Sequence, residues 1–204
     1  MNTHRAGALS GILAPGITLG AILLATLLSP TFTWTGSALS NLGGAGERTA
    51  WLFNGGLMVG SLVALPFVAV IVRAARNWWQ RVGVGFLALS LVALFSVGVF
   101  PIGTAYHFPA ALSFYLLLTL ALWVHGTGSV IAADVSFGLA SIWLGIANIM
   151  TWMVWVSTGD LTRSGLAIPE IIGALIFGGW MAFAARRLFA RPRTAVSQPL
   201  SKTD

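Results

Sequence analysis

The chain has 204 residues, of which 57% are apolar and 8% charged, and a formal net charge of +6. With a mean hydropathy of +0.88 it lacks the polar surface of a water-soluble globule, where about a quarter of residues are charged, so lipid must cover much of it. The basic residues stand in short clusters beside apolar runs, which argues against a nucleic-acid partner, and the absence of cysteine excludes disulfides, thiolate metal sites and a cysteine nucleophile.

Six apolar stretches reach the roughly twenty residues that a bilayer requires. They lie near Ala8–Leu28, Ala50–Val72, Val82–Phe100, Phe108–Thr127, Val130–Val156 and Ala167–Phe189. The first is too long for the apolar core of a signal peptide and reads as a retained span. Between the first and second lies Ser29–Gly56, the one long polar and glycine-rich interval, which reads as an outward loop folded back against the helix ends. The fourth and fifth spans are divided by a polar hinge at His125–Ser129, with Asp134 just beyond. Residues 1–189 are expected to form a single transmembrane domain, and 190–204 a polar, disordered cytoplasmic tail. No internal repeat supports a carrier built from inverted halves.

Arg5, Arg73, Arg76, Arg81, Arg186, Arg187, Arg191 and Arg193 all fall on one side of a six-span chain, against Arg48 and Arg163 on the other. The excess of basic residues on the inner side of membrane proteins therefore predicts both termini inside and a multi-pass protein of the cytoplasmic membrane. Trp78 and Trp79 at the basic side, with Trp34, Trp51 and Trp155 at the other, fit aromatic belts at the two interfaces. Gly7, Gly11, Gly16 and Gly20 in the first span, with Gly56 and Gly60 in the second, mark faces where backbones can approach closely.

Three outer connections, Ser29–Gly56, Pro101–His107 and Ser157–Ala167, bring Ser37, Ser40, Asn41, Glu47, Arg48, Asn54, Tyr106, His107, Asp160, Arg163 and Glu170 to one side. Convergent polar groups at a bundle mouth are where a membrane protein places a site. The ligand-binding candidates are Ser37, Ser40, Asn41, Asn54, Tyr106 and His107. If the chain is an enzyme, His107 is the base or ligand, Ser37 or Ser40 the nucleophile, and Asp160 or Glu170 the assisting carboxylate. Each of these also has a bland reading as a helix cap or a wetted loop side chain. His125 and His4 belong to the opposite face, so a three-histidine zinc site is excluded, and neither a metal nor a cofactor is expected. Asn148, deep in the fifth span, is expected to bond between helices.

Ser37-Ala-Leu-Ser-Asn-Leu-Gly43, then Phe53-Asn-Gly-Gly, then Phe100-Pro-Ile-Gly-Thr-Ala-Tyr-His-Phe-Pro109 resemble, in that order, the landmarks of the six-span proteins grouped as domain of unknown function 998. The resemblance covers residues 8 to 189 and implies six spans, with the first loop paired with His107. These readings give an all-α, six-span integral membrane bundle. Its expected role is that of a non-enzymatic component whose outer face binds a lipid, a small molecule or a partner membrane protein. A membrane-embedded enzyme on a lipid-like substrate, using His107, and a small carrier or channel are the alternatives.

Overall fold

The computed structural model describes residues 3–158 and 165–190. The predicted tail after residue 190, and Asp160 and Arg163, lie outside the described residues. Among those described there are seven α-helices, one short 3-10 turn and no strand. The helices are α1 (Thr3–Leu28), α2 (Ala50–Val63), α3 (Leu65–Ala74), α4 (Trp78–Val99), α5 (His107–Ile131), α6 (Val135–Thr158) and α7 (Ala167–Ala190), with the 3-10 turn at Leu39–Gly43. Together α2 and α3 make one span, broken at Ala64 just before Pro66, whose ring removes a backbone donor. Six segments are thus long and apolar enough to cross a bilayer.

The six spans close into a ring in which α1 packs on α2, α3 and α7, α4 joins α2 to α5, and α6 follows between α5 and α7. Phe67, Leu87, Leu118, Leu122, Trp180 and Met181 fill its centre. Because lipid is as apolar as these side chains, close packing and interhelical hydrogen bonds hold such helices together more than the hydrophobic effect does. The glycines show this selectively. A Cβ on Gly83 would stand 2.5 Å from the backbone nitrogen of His125, and Gly7 and Gly11 admit Val70 and Phe67, whereas Gly16 and Gly20 face open space. Only half of the small-residue series in α1 is therefore a packed face.

The fourth connection differs from expectation. His125–Ser129 is not a hinge: α5 continues through it to Ile131, and the chain turns at Ala132–Asp134, where Ala133 adopts φ +60°. The small residues read as a break are instead contact points, with Gly126 against Gly138 of α6 and Gly128 against Gln80 of α4. The polar groups of this stretch are satisfied in place. Ser129 Oγ donates to the His125 carbonyl at 2.9 Å and accepts from Gln80 Nε2 at 3.1 Å, while Asn77 Nδ2 donates to the Gly128 carbonyl at 2.7 Å.

At this end of the bundle Asp134 draws the basic residues together. Arg187 Nη2 donates to both its carboxylate oxygens at 2.9 and 2.8 Å, and Arg76 stands 3.6 Å away. Trp180 Nε1 donates to Ser141 Oγ at 2.9 Å, and Phe137 packs against Trp180 and Phe183. These side-chain ties between α6 and α7 lie in the half of the span nearer Asp134.

Two stability outcomes follow. Replacing Asp134 by Ala leaves Arg187 and Arg76 without their shared carboxylate and is expected to cost about 2 kcal/mol, the scale of hydrogen bonds to charged groups, read as a lowered thermal midpoint in detergent. Gly83→Ala is expected to cost ~1–3 kcal/mol by overpacking against α5, while Gly85→Ala, which meets nothing within 4 Å, leaves the midpoint unchanged.

Candidate functional site

The far end of the bundle from Asp134 is roofed by the loop between α1 and α2, and the loop is tied down at several points. Asn41 Oδ1 accepts from the Ala38 amide at 2.6 Å, Thr49 Oγ1 donates to the Leu42 carbonyl at 2.9 Å, and Asn54 Nδ2 donates to the Gly43 carbonyl at 2.9 Å. The Ala167 amide donates to the Ser37 carbonyl at 2.9 Å. Glu170, on the first turn of α7, accepts from the Leu39 amide through Oε2 at 2.5 Å, so its carboxylate holds the loop rather than its own helix end. Glu170 and Ser40 are both buried as a result.

His107 opens α5 directly beneath this roof. Its Nδ1 lies 2.8 Å from the Phe100 carbonyl oxygen. A carbonyl only accepts, so Nδ1 carries the proton and Nε2 of the neutral ring is an acceptor. Neither Nε2 nor Ser40 Oγ has a hydrogen-bond partner among the described residues. His107, Ala111 and Tyr115 follow one another at intervals of four, which stacks them on one face of α5. With Ser40 and Glu170 they form a wall between two spaces. On the inner side is a small cavity of about 50 Å³ that reaches Thr18 and Leu57, room for one or two waters. On the outer side is a groove of about 680 Å³.

The groove lies beside α6, the least buried of the six spans. Phe108, Leu112 and Leu116 of α5 form one bank, and Ile149, Trp152, Trp155 and Val156 of α6 the other, while the link at Ile102–Thr104 and Leu166 close the mouth. Its deepest polar residue is Asn148, 1% exposed. Asn148 Nδ2 donates to Thr119 Oγ1 at 2.9 Å and to the Tyr115 carbonyl at 3.3 Å, the interhelical bond expected of it, yet its Oδ1 has no partner. Trp152 Nε1 is also buried without one. The Tyr115 hydroxyl donates to the Glu170 carbonyl at 3.1 Å, and the ring packs against Trp152 at 4.8 Å between centroids. A volume of this size falls in the range of small-molecule sites, about 300–1,000 Å³.

Of the residues singled out from the sequence, the structure brings together Ser40, His107 and Glu170. Three others are occupied elsewhere. Ser37 Oγ accepts from the Thr33 amide at 3.1 Å, and Asn41 and Asn54 fasten the loop. Tyr106 is 65% exposed and packs on Phe100, so it stands outside the groove. Glu47 and Arg48 are exposed, and Asp160 and Arg163 fall outside the described residues. Sequence reasoning passed over Tyr115 and Trp152 as ordinary aromatic residues of a span. The available signal was spacing: His107 to Tyr115 is two steps of four, and Asn148 to Trp152 is one.

Among the described residues no group of three His, Asp or Glu side chains comes together in the manner of a metal site. His107 does not reach Ser40 or Glu170 by a direct hydrogen bond; the three share the groove and the inner cavity. No curated protein and no solved structure matches the chain. A family model described as "Protein of unknown function (DUF998)" matches residues 12–187, in agreement with the three motifs and the six spans, and this multi-pass membrane protein belongs to that family.

Proposed function

We propose that the protein is a non-enzymatic membrane component that holds a lipid or lipid-like small molecule in the groove between α5 and α6. The observation that carries this reading is the groove itself: apolar banks open along the lipid-facing side, and the polar groups of Ser40, His107 and Glu170 lie at its roofed end. An apolar chain lying between Leu112, Leu116 and Ile149 removes those side chains and itself from competing contacts. A polar head is then delivered to the roofed end, where the loop excludes bulk water. Both termini and the Asp134 end face the cytoplasm in this reading, as the clustering of arginines at that end favours, and the groove opens in the opposite leaflet of the cytoplasmic membrane.

Filling the groove tests the proposal. Ala111→Phe places a ring between His107 and Tyr115 and is expected to reduce co-purifying lipid, measured by mass spectrometry, roughly tenfold, the effect of about 1.4 kcal/mol in binding. Leu89→Phe, on the exposed surface of α4, is expected to change nothing. Equal lipid retention in both variants would remove the basis of the reading.

A second reading, a membrane-embedded enzyme on a lipid-like substrate, draws on the His107 ring, whose Nε2 is oriented as an acceptor in the same space as Ser40 and Glu170. The two readings part on chemistry. Under the binding reading, the purified protein in vesicles returns its co-purifying lipid unaltered over hours. A cleaved or transferred product that disappears in His107→Gln would replace it with the enzymatic one.

A further inference from the structure

Resting on the groove as a lipid site, we infer that its ligand carries a hydrogen-bond-donating head without negative charge: a hydroxyl-headed, diacylglycerol-like amphiphile rather than an anionic phospholipid. The inference comes from which polar atoms around the groove are left without partners. His107 Nε2 is an acceptor because Nδ1 is committed to the Phe100 carbonyl, and the residue is 9% exposed. Asn148 Oδ1 is a second unpaired acceptor, but it is fully buried toward Gly173 of α7 and is not offered to the groove. The Glu170 carboxylate is a further acceptor, engaged by the Leu39 and Ser40 amides. Against these stand one unpaired indole donor, Trp152 Nε1, and the Ser40 hydroxyl, which serves in either sense.

No Lys or Arg is among the described residues that line the groove. The basic side chains that pair with a carboxylate, Arg76 and Arg187, are at the opposite end of the bundle on Asp134. A phosphate head brought to the roofed end would exchange water for acceptors. Burying an ion without an opposite charge or donors is strongly unfavourable. A hydroxyl head reverses the balance: its O–H meets His107 Nε2, and its oxygen can accept from the Ser40 hydroxyl. An unpaired buried acceptor carries a desolvation penalty of about 1–3 kcal/mol that a donor from the ligand would relieve.

Three photoactivatable lipids with identical acyl chains separate the possibilities: a diacylglycerol, its O-methyl ether, which accepts but cannot donate, and the corresponding phosphatidic acid. The full chain is placed in phosphatidylcholine nanodiscs with each probe at equal mole fraction, and labelled peptides are mapped. Diacylglycerol is expected to label the segments 108–116 and 149–156 about tenfold more than either other probe, the discrimination of roughly one hydrogen bond. In His107→Phe the labelling by diacylglycerol falls toward that of the ether. The comparison of heads in the unmodified protein stands whether or not the variant folds. Equal labelling by the ether, or equal or stronger labelling by phosphatidic acid, overturns the inference while leaving the groove a lipid site. Failure of all three probes to label those segments above the exposed face of α4 overturns both.

Discussion

The hydrogen bond from the Leu39 amide to the Glu170 carboxylate is the point on which the far end of the bundle depends. Irregular backbone at the edge of the hydrocarbon region is tolerated only where its polar groups are satisfied by protein or water. The loop after α1 meets that condition by folding onto the first turn of α7, where the Glu170 carboxylate accepts from the Leu39 and Ser40 amides and the Ser37 carbonyl accepts from the Ala167 amide. Once held there, the Leu39–Gly43 turn sets Ser40 over the start of α5, beside His107. A carboxylate that the sequence offers as a catalytic partner thus has a structural duty first, and its presence in the groove wall is a consequence of that duty.

The two ends of the span carry different kinds of polar chemistry, and the difference governs α6. Near Asp134, charge pairing with Arg187, the Trp180–Ser141 bond and the stacked Phe137 hold α6 to α7. Toward His107 the ties run from α6 to α5 instead, through Asn148 to Thr119 and Tyr115 and through Trp152 against the Tyr115 ring. Held to α7 at one end and to α5 at the other, α6 forms one bank of the groove of about 680 Å³. Asn148 lines this groove, with its unpaired Oδ1 fully buried toward Gly173 of α7. Other buried hydroxyls bond within their own helices, as Ser10, Ser61, Ser90 and Ser141 do.

Much of the architecture was legible in the chain. The length and apolarity of the runs set the number of spans, and the arginine clusters matched the end at which Arg76 and Arg187 converge on Asp134. The family resemblance implied the pairing of the first loop with His107, and Ser40 of that loop lines the same groove as His107. The hinge at His125–Ser129 was misplaced for a physical reason: Gly and Ser read as helix breakers in water, but between packed membrane helices they are the residues that allow contact. The same ambiguity made Gly16 and Gly20 look equivalent to Gly7 and Gly11.

What composition and periodicity determined by themselves is that the chain is an all-helical membrane bundle with a polar loop at one end, because hydrocarbon leaves a backbone few other choices. Which polar side chains share a site was decided only by the tertiary structure. Ser37, Asn41 and Asn54 are as polar as Ser40, yet their hydrogen bonds are spent within the loop and on its fastening to α2. Tyr115 and Asn148 lie in apolar sequence, yet both line the groove between α5 and α6. Sequence displays the capacity to hydrogen-bond; the packing of helices determines which of that capacity is left unused, and only the unused part is available to a ligand.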